Sequence, residues 1–186
     1  MRRIKHTAVV PLVVFALMAG CNHTTNPTTP EQTPKTEQAM NDVRTLQDKL
    51  ALRELVETFA TLADVKDVDT QMTLFTEDAV VEGYAAGKPT GRNFVGKEAI
   101  GNAFKGYLRL FHTIYHLNGQ HTSHIEGNRA TATTYCYVTL MREVEGKEEK
   151  TVHYAIYNNE FVKREGKWLI AKRKSNFVRT EVSSEK

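Results

Sequence analysis

"NRATATTYCYVTLMREVEGKEEKTVHYAIYNNEFVKREGKWLIAKRKSNFVRTEV", residues 128–182, is the stretch whose reading decides the fold. Threonine, valine, tyrosine and phenylalanine recur through it, and Glu-Gly-Lys interrupts it at 145–147 and again at 165–167. Long β-branched and aromatic runs broken by such turn residues read as strands joined by hairpins. Glu-Gly-Asn at 126–128 adds one more connection and places a further strand before them, "TIYHLNGQHTSHIEG" at 113–127. Four successive antiparallel strands are expected. They exceed the usual five or six residues, which implies a strongly curled sheet.

Upstream the period changes from two to 3.6. Leu52, Leu55, Val56, Phe59, Leu62 and Ala63 follow i, i+3, i+4, i+7 spacing, an amphipathic helix ending near Asp64. Val43, Leu46 and Leu50 fall on another face, so that part of the helix packs elsewhere or extends outward. "DVDTQMTLF" (67–75) fits a short second helix with Asp67 as N-cap. "DAVVEGYAAG" (78–87) reads as a strand and "TGRNFVG" (90–96) as its hairpin partner. A third helix over "GKEAIGNAFKGYLRLF" (96–111) carries Ala99, Ile100, Ala103, Phe104, Tyr107 and Leu108 on one side. Helices first and sheet after is an α+β layout in one domain, residues 39–182, with a tail at 183–186.

The run 112–124 holds four of the seven histidines. Strict alternation places His112, His116 and His124 on one face of the strand and His121 on the other. His112 and His116 then stand about 13 Å apart, and His116 and His124 about 26 Å. Zinc holds its nitrogen ligands at about 2 Å, so no metal site is expected there, and no cofactor is expected elsewhere. Cys136, between Tyr135 and Tyr137, reads as a small buried apolar residue.

The chain opens with a basic segment (Arg2, Arg3, Lys5) and an apolar run from Ala8 to Ala19. That run is too short to span a bilayer, which needs about 20 apolar residues, and has the form of a secretory signal over residues 1–20. "LMAGC" (17–21) resembles the lipobox of bacterial lipoproteins, which implies lipidation of Cys21. Asn22 after that cysteine is compatible, by the same resemblance, with the outer membrane of a Gram-negative-type cell envelope, facing the periplasm. Residues 21–38, rich in proline and threonine, read as a tether that cannot bury enough surface to fold. The formal charge of +3 comes from 25 basic and 22 acidic residues, so removing the three basic signal residues leaves a neutral chain. Nucleic-acid binding needs a basic footprint and is not expected; Lys172, Arg173 and Lys174 read as part of a solvated edge.

Four segments resemble the SnoaL-like branch of the nuclear-transport-factor-2-like superfamily: "FATLADVKDVDTQMTLFTEDAVVEG" (59–83), "GKEAI" (96–100), "YHLNG" with "HIEGNRATATTY" (115–119 and 124–135), and "NNEFVKREGKWLIAKR" (158–173). The resemblance implies a cone, a curved antiparallel or mixed sheet wrapped around three N-terminal helices with a pocket at the open end. It also implies pairing of two copies through the sheet. Dehydratases of this superfamily use an aspartate at the end of the first helix and a strand histidine as an acid–base pair; those positions match Asp64 and His116. Phe59, Tyr84, Tyr137, His153, Tyr157 and Asn159 are the implied pocket residues. Phe59 stands where the dehydratases carry tyrosine, Gly83 where the ketosteroid isomerase carries its base, and Asn159 where aspartate is frequent. A steroid-isomerase mechanism is therefore not expected.

Three classes stay open at this stage: a lyase or isomerase acting through an Asp–His pair, a non-catalytic binder of a small apolar molecule, and a docking module of the same fold. An enzyme requires an enclosed pocket with Asp64 and His116 within hydrogen-bond reach, a binder the pocket without that contact, and a docking module a filled pocket and a large exposed sheet face. The anchor has its own test. Replacing Cys21 by Ser is expected to abolish fatty-acid labelling and release the protein from membranes; unchanged membrane fractionation contradicts the lipobox.

Overall fold

Tight turns with two left-handed residues set the sheet. In the computed structural model, which describes residues 34–184, Ala86–Gly87, Glu145–Gly146 and Glu165–Gly166 all have positive φ, between 47° and 79°. Two consecutive positive φ values make the hairpin turn whose twist matches the strands it joins. The elements run α1 (Pro34–Asp64), α2 (Val68–Met72), β1 (Phe75–Ala85), β2 (Lys88–Val95), α3 (Lys97–Leu108), β3 (Thr113–Glu126), β4 (Arg129–Val144), β5 (Lys147–Arg164) and β6 (Lys167–Ser184). The sheet order is β2-β1-β6-β5-β4-β3. β3 to β6 form the expected antiparallel meander, and β1 joins β6 in parallel, so the sheet is mixed.

Helices cover one face. α1 buries Leu52, Leu55, Val56, Phe59, Ala60 and Ala63, the stripe its periodicity indicates. Phe59, Phe75 and Phe104 meet edge to face with ring centroids 5.9 to 6.4 Å apart, joining α1, β1 and α3. Inward positions of β4 alternate through Ala130, Ala132, Thr134, Cys136, Val138 and Leu140. Phe161 and Trp168 are buried across the last hairpin. Burial pushes the Cys136 thiol up to about 11, opposed in part by the charge of Arg173, as expected of a buried core thiol.

Two element bounds differ from those expected, and one open alternative is decided. α1 already takes in residues 34–38, part of the stretch read as tether. The N-terminal half of α1 extends outward, with Val43, Leu46 and Leu50 exposed. β6 continues to Ser184, taking in the start of the expected tail. Cys21, the lipobox and the rest of the tether lie outside the described residues.

Irregular pairing also changes which residues face the helices. Between Asn118 and His121 the β3–β4 register shifts, so His121 joins His116 on the inner face and His124 turns outward, the reverse of simple alternation. One extra residue in one strand moves every later side chain to the opposite face. A second shift lies between the pairs Glu160–Lys172 and Phe161–Ile170, with Ala171 as the extra residue. Beyond it Arg173 faces inward and is buried, which corrects its reading as part of a solvated edge.

Asp48 ties the outgoing part of α1 to the final hairpin. Its Oδ1 accepts hydrogen bonds from Lys163 Nζ at 2.6 Å and Trp168 Nε1 at 2.9 Å. Burial would raise the Asp48 pKa, but the hydrogen bonds from Lys163 and Trp168 and the lysine charge outweigh it and hold the carboxyl below its usual value of 3.8. A lowered folded pKa stabilises the protein above the unfolded value, and that contribution is lost as pH falls through the folded one. Asp48→Asn is expected to cost about 1–2 kcal/mol at neutral pH, with the difference from wild type closing in acid. Denaturant unfolding at several pH values measures it; a pH-independent difference contradicts the charged pairing.

Candidate active-site cleft

α1 ends in a left-handed cap. Lys66 has φ of 60°, its N–H donates to Ala63 O, and Asp67 N–H donates to Leu62 O, the paired bonds that close a helix C-terminus. Asp67 then caps α2 by accepting from Thr70 N–H at 3.1 Å. This tight reversal leaves Asp64 on the last helical turn, facing β3 and not solvent. Helical phase alone, about 140° from the apolar stripe, would not have placed it there.

Asp64 and His116 meet across a sequence separation of 52 residues. Asp64 Oδ1 lies 2.6 Å from His116 Nδ1, and Oδ2 accepts the backbone N–H of His116 at 3.2 Å. The carboxylate thus grips ring and backbone together. Nδ1 must carry a proton to make this bond, and Nε2 becomes the ring atom outside the clamp. The side chains are 21% and 8% exposed, sheltered enough for the geometry to be kept.

His116 lines a cleft between the helices and the inner face of the sheet. The cleft has two lobes, of about 110 and 240 Å³, that share Phe104, Tyr107, His153, Ser175 and Phe177. The inner lobe also meets Phe59, Gln71, Tyr157 and Arg173, and the outer lobe reaches Glu82, Gly83 and Arg92. Such a space is at the small end of ligand sites, which run from roughly 300 Å³ upward. The walls are mainly apolar, with a few polar groups. Gln71 Nε2 donates to Phe59 O at 2.9 Å, while its Oε1 is buried with no hydrogen-bond partner among the described residues.

The other implied pocket residues divide. Phe59, His153 and Tyr157 lie on the cleft. His153 Nδ1 is 2.8 Å from Thr180 Oγ1, and its ring packs on Phe177 at 4.6 Å. Tyr137 is corrected: Cys136 and Val138 take the inward positions, and Tyr137 stands on the outer face against Tyr154, ring centroids 5.2 Å apart. Tyr84 is also off the cleft, its hydroxyl folded back to donate to Glu82 Oε2 at 3.1 Å. Asn159 is buried behind the wall, where its Oδ1 accepts from Arg173 Nη1 at 3.3 Å. Gly83 leaves no room for a side chain, since an added Cβ would stand 2.8 Å from Thr90 Oγ1.

Arg173 is the residue that sequence reading missed. Its guanidinium lies 4.0 Å from the Phe59 ring centre and 3.8 Å from that of Tyr157. Burial lowers its pKa, though a guanidinium remains charged in proteins. Burial also drives the Tyr157 hydroxyl upward, opposed in part by the Arg173 charge. The only cue in the sequence was chemical: of Lys172, Arg173 and Lys174, arginine is the one suited to stacking between rings.

A curved mixed sheet closed over helices, with an open-ended cleft holding an Asp–His pair, defines a class: cystatin-like folds of the nuclear-transport-factor-2 type. Within it the chain belongs to the SnoaL-like domain family, whose model matches residues 44–174. The chain is similar to a hexachlorocyclohexane dehydrochlorinase (LinA) type 2, with TM-score 0.68 and 16% identity over 76% of this chain and 93% of that one. It is also similar to a candidate scytalone dehydratase from Novosphingobium aromaticivorans (TM-score 0.64, 19% identity, 74% and 88% covered). A third, an NTF2-like protein with a cystatin-like fold from the same organism, gives TM-score 0.58 at 22% identity, with 78% and 90% covered. At these identities the likeness establishes the fold. A comparison with curated proteins finds no match.

The second histidine of the cleft has its own signature. Burial first, then the charge of Arg92 and the neighbouring His116 ring, lower the His153 pKa below its ordinary 6.5. A depressed folded pKa adds stability above the unfolded value, which is lost as pH falls through the folded one. Arg92→Gln is expected to raise the His153 pKa part of the way back, since burial remains. Titration by NMR checks it; no change in Arg92→Gln contradicts a shared cleft field.

Proposed function

We propose that the protein is a lyase of the dehydratase type, with a small, mainly apolar molecule held in the cleft and His116 as its acid–base residue. The observation that supports this best is the two-point grip of Asp64 on His116. It fixes the tautomer and directs Nε2 to substrate, the arrangement general acid–base catalysis needs. In the proposed reaction Nε2 takes the proton from the carbon next to a carbonyl. The electron pair left behind forms the new C=C bond as the C–O bond to a β-hydroxyl breaks, and the hydroxyl leaves as water with the proton returned from Nε2.

The alternative is a non-catalytic ligand-binding or docking module of the same fold. Phe59 favours it, because the tyrosine of the resembling dehydratases would add a hydroxyl that this cleft lacks. An open cleft favours ligand binding over docking within that alternative. Pairing of two copies through the sheet is supported by the exposed outer-face side chains Tyr115, Leu117, Tyr135, Tyr137 and Tyr154. The lipobox supports display of the domain from an envelope membrane into the periplasm.

Turnover of aromatic and alicyclic β-hydroxy ketones, followed by the absorbance of the conjugated product, tests the lyase reading. His116→Gln is expected to lower kcat about 10²–10⁴-fold, and Asp64→Asn to lower it less. Wild-type turnover in His116→Gln would exclude the mechanism, and binding of these ketones without turnover would favour the non-catalytic alternative.

A further inference from the structure

Buried charges in proteins are normally paired, and Arg173 breaks that rule. The residue is 2% exposed, yet among the described residues no Asp or Glu oxygen lies within ion-pair distance of it. Its side-chain partners are neutral: the amide of Asn159, at a long 3.3 Å, and the hydroxyl of Tyr157. The two flanking rings offset part of the desolvation, as cation–π contacts do, but they supply no negative charge.

The choice of Asn159 sharpens the anomaly. Its Nδ2 is buried with no hydrogen-bond partner among the described residues, a cost that an aspartate in the same place would not carry. Aspartate would also neutralise the guanidinium beside it. The chain therefore tolerates an unpaired donor and an unpaired cation in contact, where one substitution would remove both.

The carboxylates of the cleft are committed elsewhere. Asp64 uses both oxygens on His116. Glu82 pairs with Lys172 at 2.7 Å and accepts from Tyr84. Arg92, on the outer lobe, adds positive charge at the mouth and forms no ion pair among the described residues. A cleft with a cation at its floor and another at its mouth favours a negatively charged guest.

We propose that the cleft takes an anionic molecule, a compact aromatic or alicyclic carboxylate whose oxyanion pairs with Arg173 while its rings lie against Phe59, Phe104 and Phe177. This rests on the reading that the cleft holds a small ligand and specifies its chemical class. Arg173 acts as the binding residue and Asn159 as the residue that keeps its charge available.

Titration of the full domain with 2-naphthoate and with its neutral isostere 2-naphthamide, followed by amide NMR shifts, tests the proposal. Wild type is expected to bind the carboxylate at least tenfold tighter than the amide. Asn159→Asp supplies the missing counter-ion within the protein, so it is expected to abolish that preference while leaving naphthamide binding intact and raising the Tm. Arg92→Gln, which removes the cation at the mouth, is expected to reduce the preference without abolishing it. Equal binding of both probes by wild type, a preference that survives Asn159→Asp, or one lost in Arg92→Gln would each overturn the assignment to Arg173 and leave the ligand-binding cleft standing. Failure of both probes to bind would overturn the cleft as a ligand site, and the anion proposal with it.

Discussion

The grip of one carboxylate on one histidine holds the working end of this protein together. Asp64 closes α1 and His116 sits in β3, where α1 packs on the sheet and Asn118 Nδ2 also donates to Val56 O. Two hydrogen bonds to a charged group, each worth about 1.5–3 kcal/mol, draw them into contact and fix the imidazole in one orientation. The left-handed Lys66 is part of the same constraint. A non-glycine residue in that conformation costs of order 1–3 kcal/mol, tolerated because the reversal it makes points Asp64 at β3 and starts α2. The cleft then forms where α1, α3 and the curved sheet diverge.

Much of this was legible from residue types and spacing. The Glu-Gly turns, the aliphatic stripe of α1, the Asp67 cap and the β1–β2 hairpin all follow from local chemistry, and local chemistry is written in the sequence. The Asp64–His116 contact came from family resemblance, since helical phase argued against it. Face assignment failed where the strands are irregular. A register shift near Gly119 reversed His121 and His124, and the extra residue at Ala171 carried Arg173 from the expected edge into the core. A bulge is settled by long-range pairing, and "LNGQH" or "IAKRK" reads as an ordinary strand without it. Tyr137 failed for a different reason: its parity was already set by Cys136 and Val138, and aromatic character outweighed it.

Fold alone does not select a chemistry, and the solved structures similar to this one bear that out, with dehydrochlorinase and dehydratase names on one architecture. What distinguishes this chain is the content of its cleft. Phe59 and Asn159 are both uncharged, and both touch Arg173. The result is a site with a single acid–base pair and a buried cation. On the proposed reading, proton transfer belongs to β3 and anion recognition to β6.

The orientation of the His116 ring is where the account is most exposed. Nitrogen-15 NMR of the histidine side chains, at a pH where the ring is neutral, reads directly which nitrogen carries the proton. The account predicts a single form in the wild type, protonated at Nδ1 and bare at Nε2, giving way to a mixture in Asp64→Ala. A wild-type ring protonated at Nε2, or the same single form in both proteins, would contradict it: Asp64 would then be no more than a helix terminus, and the cleft would have no oriented base.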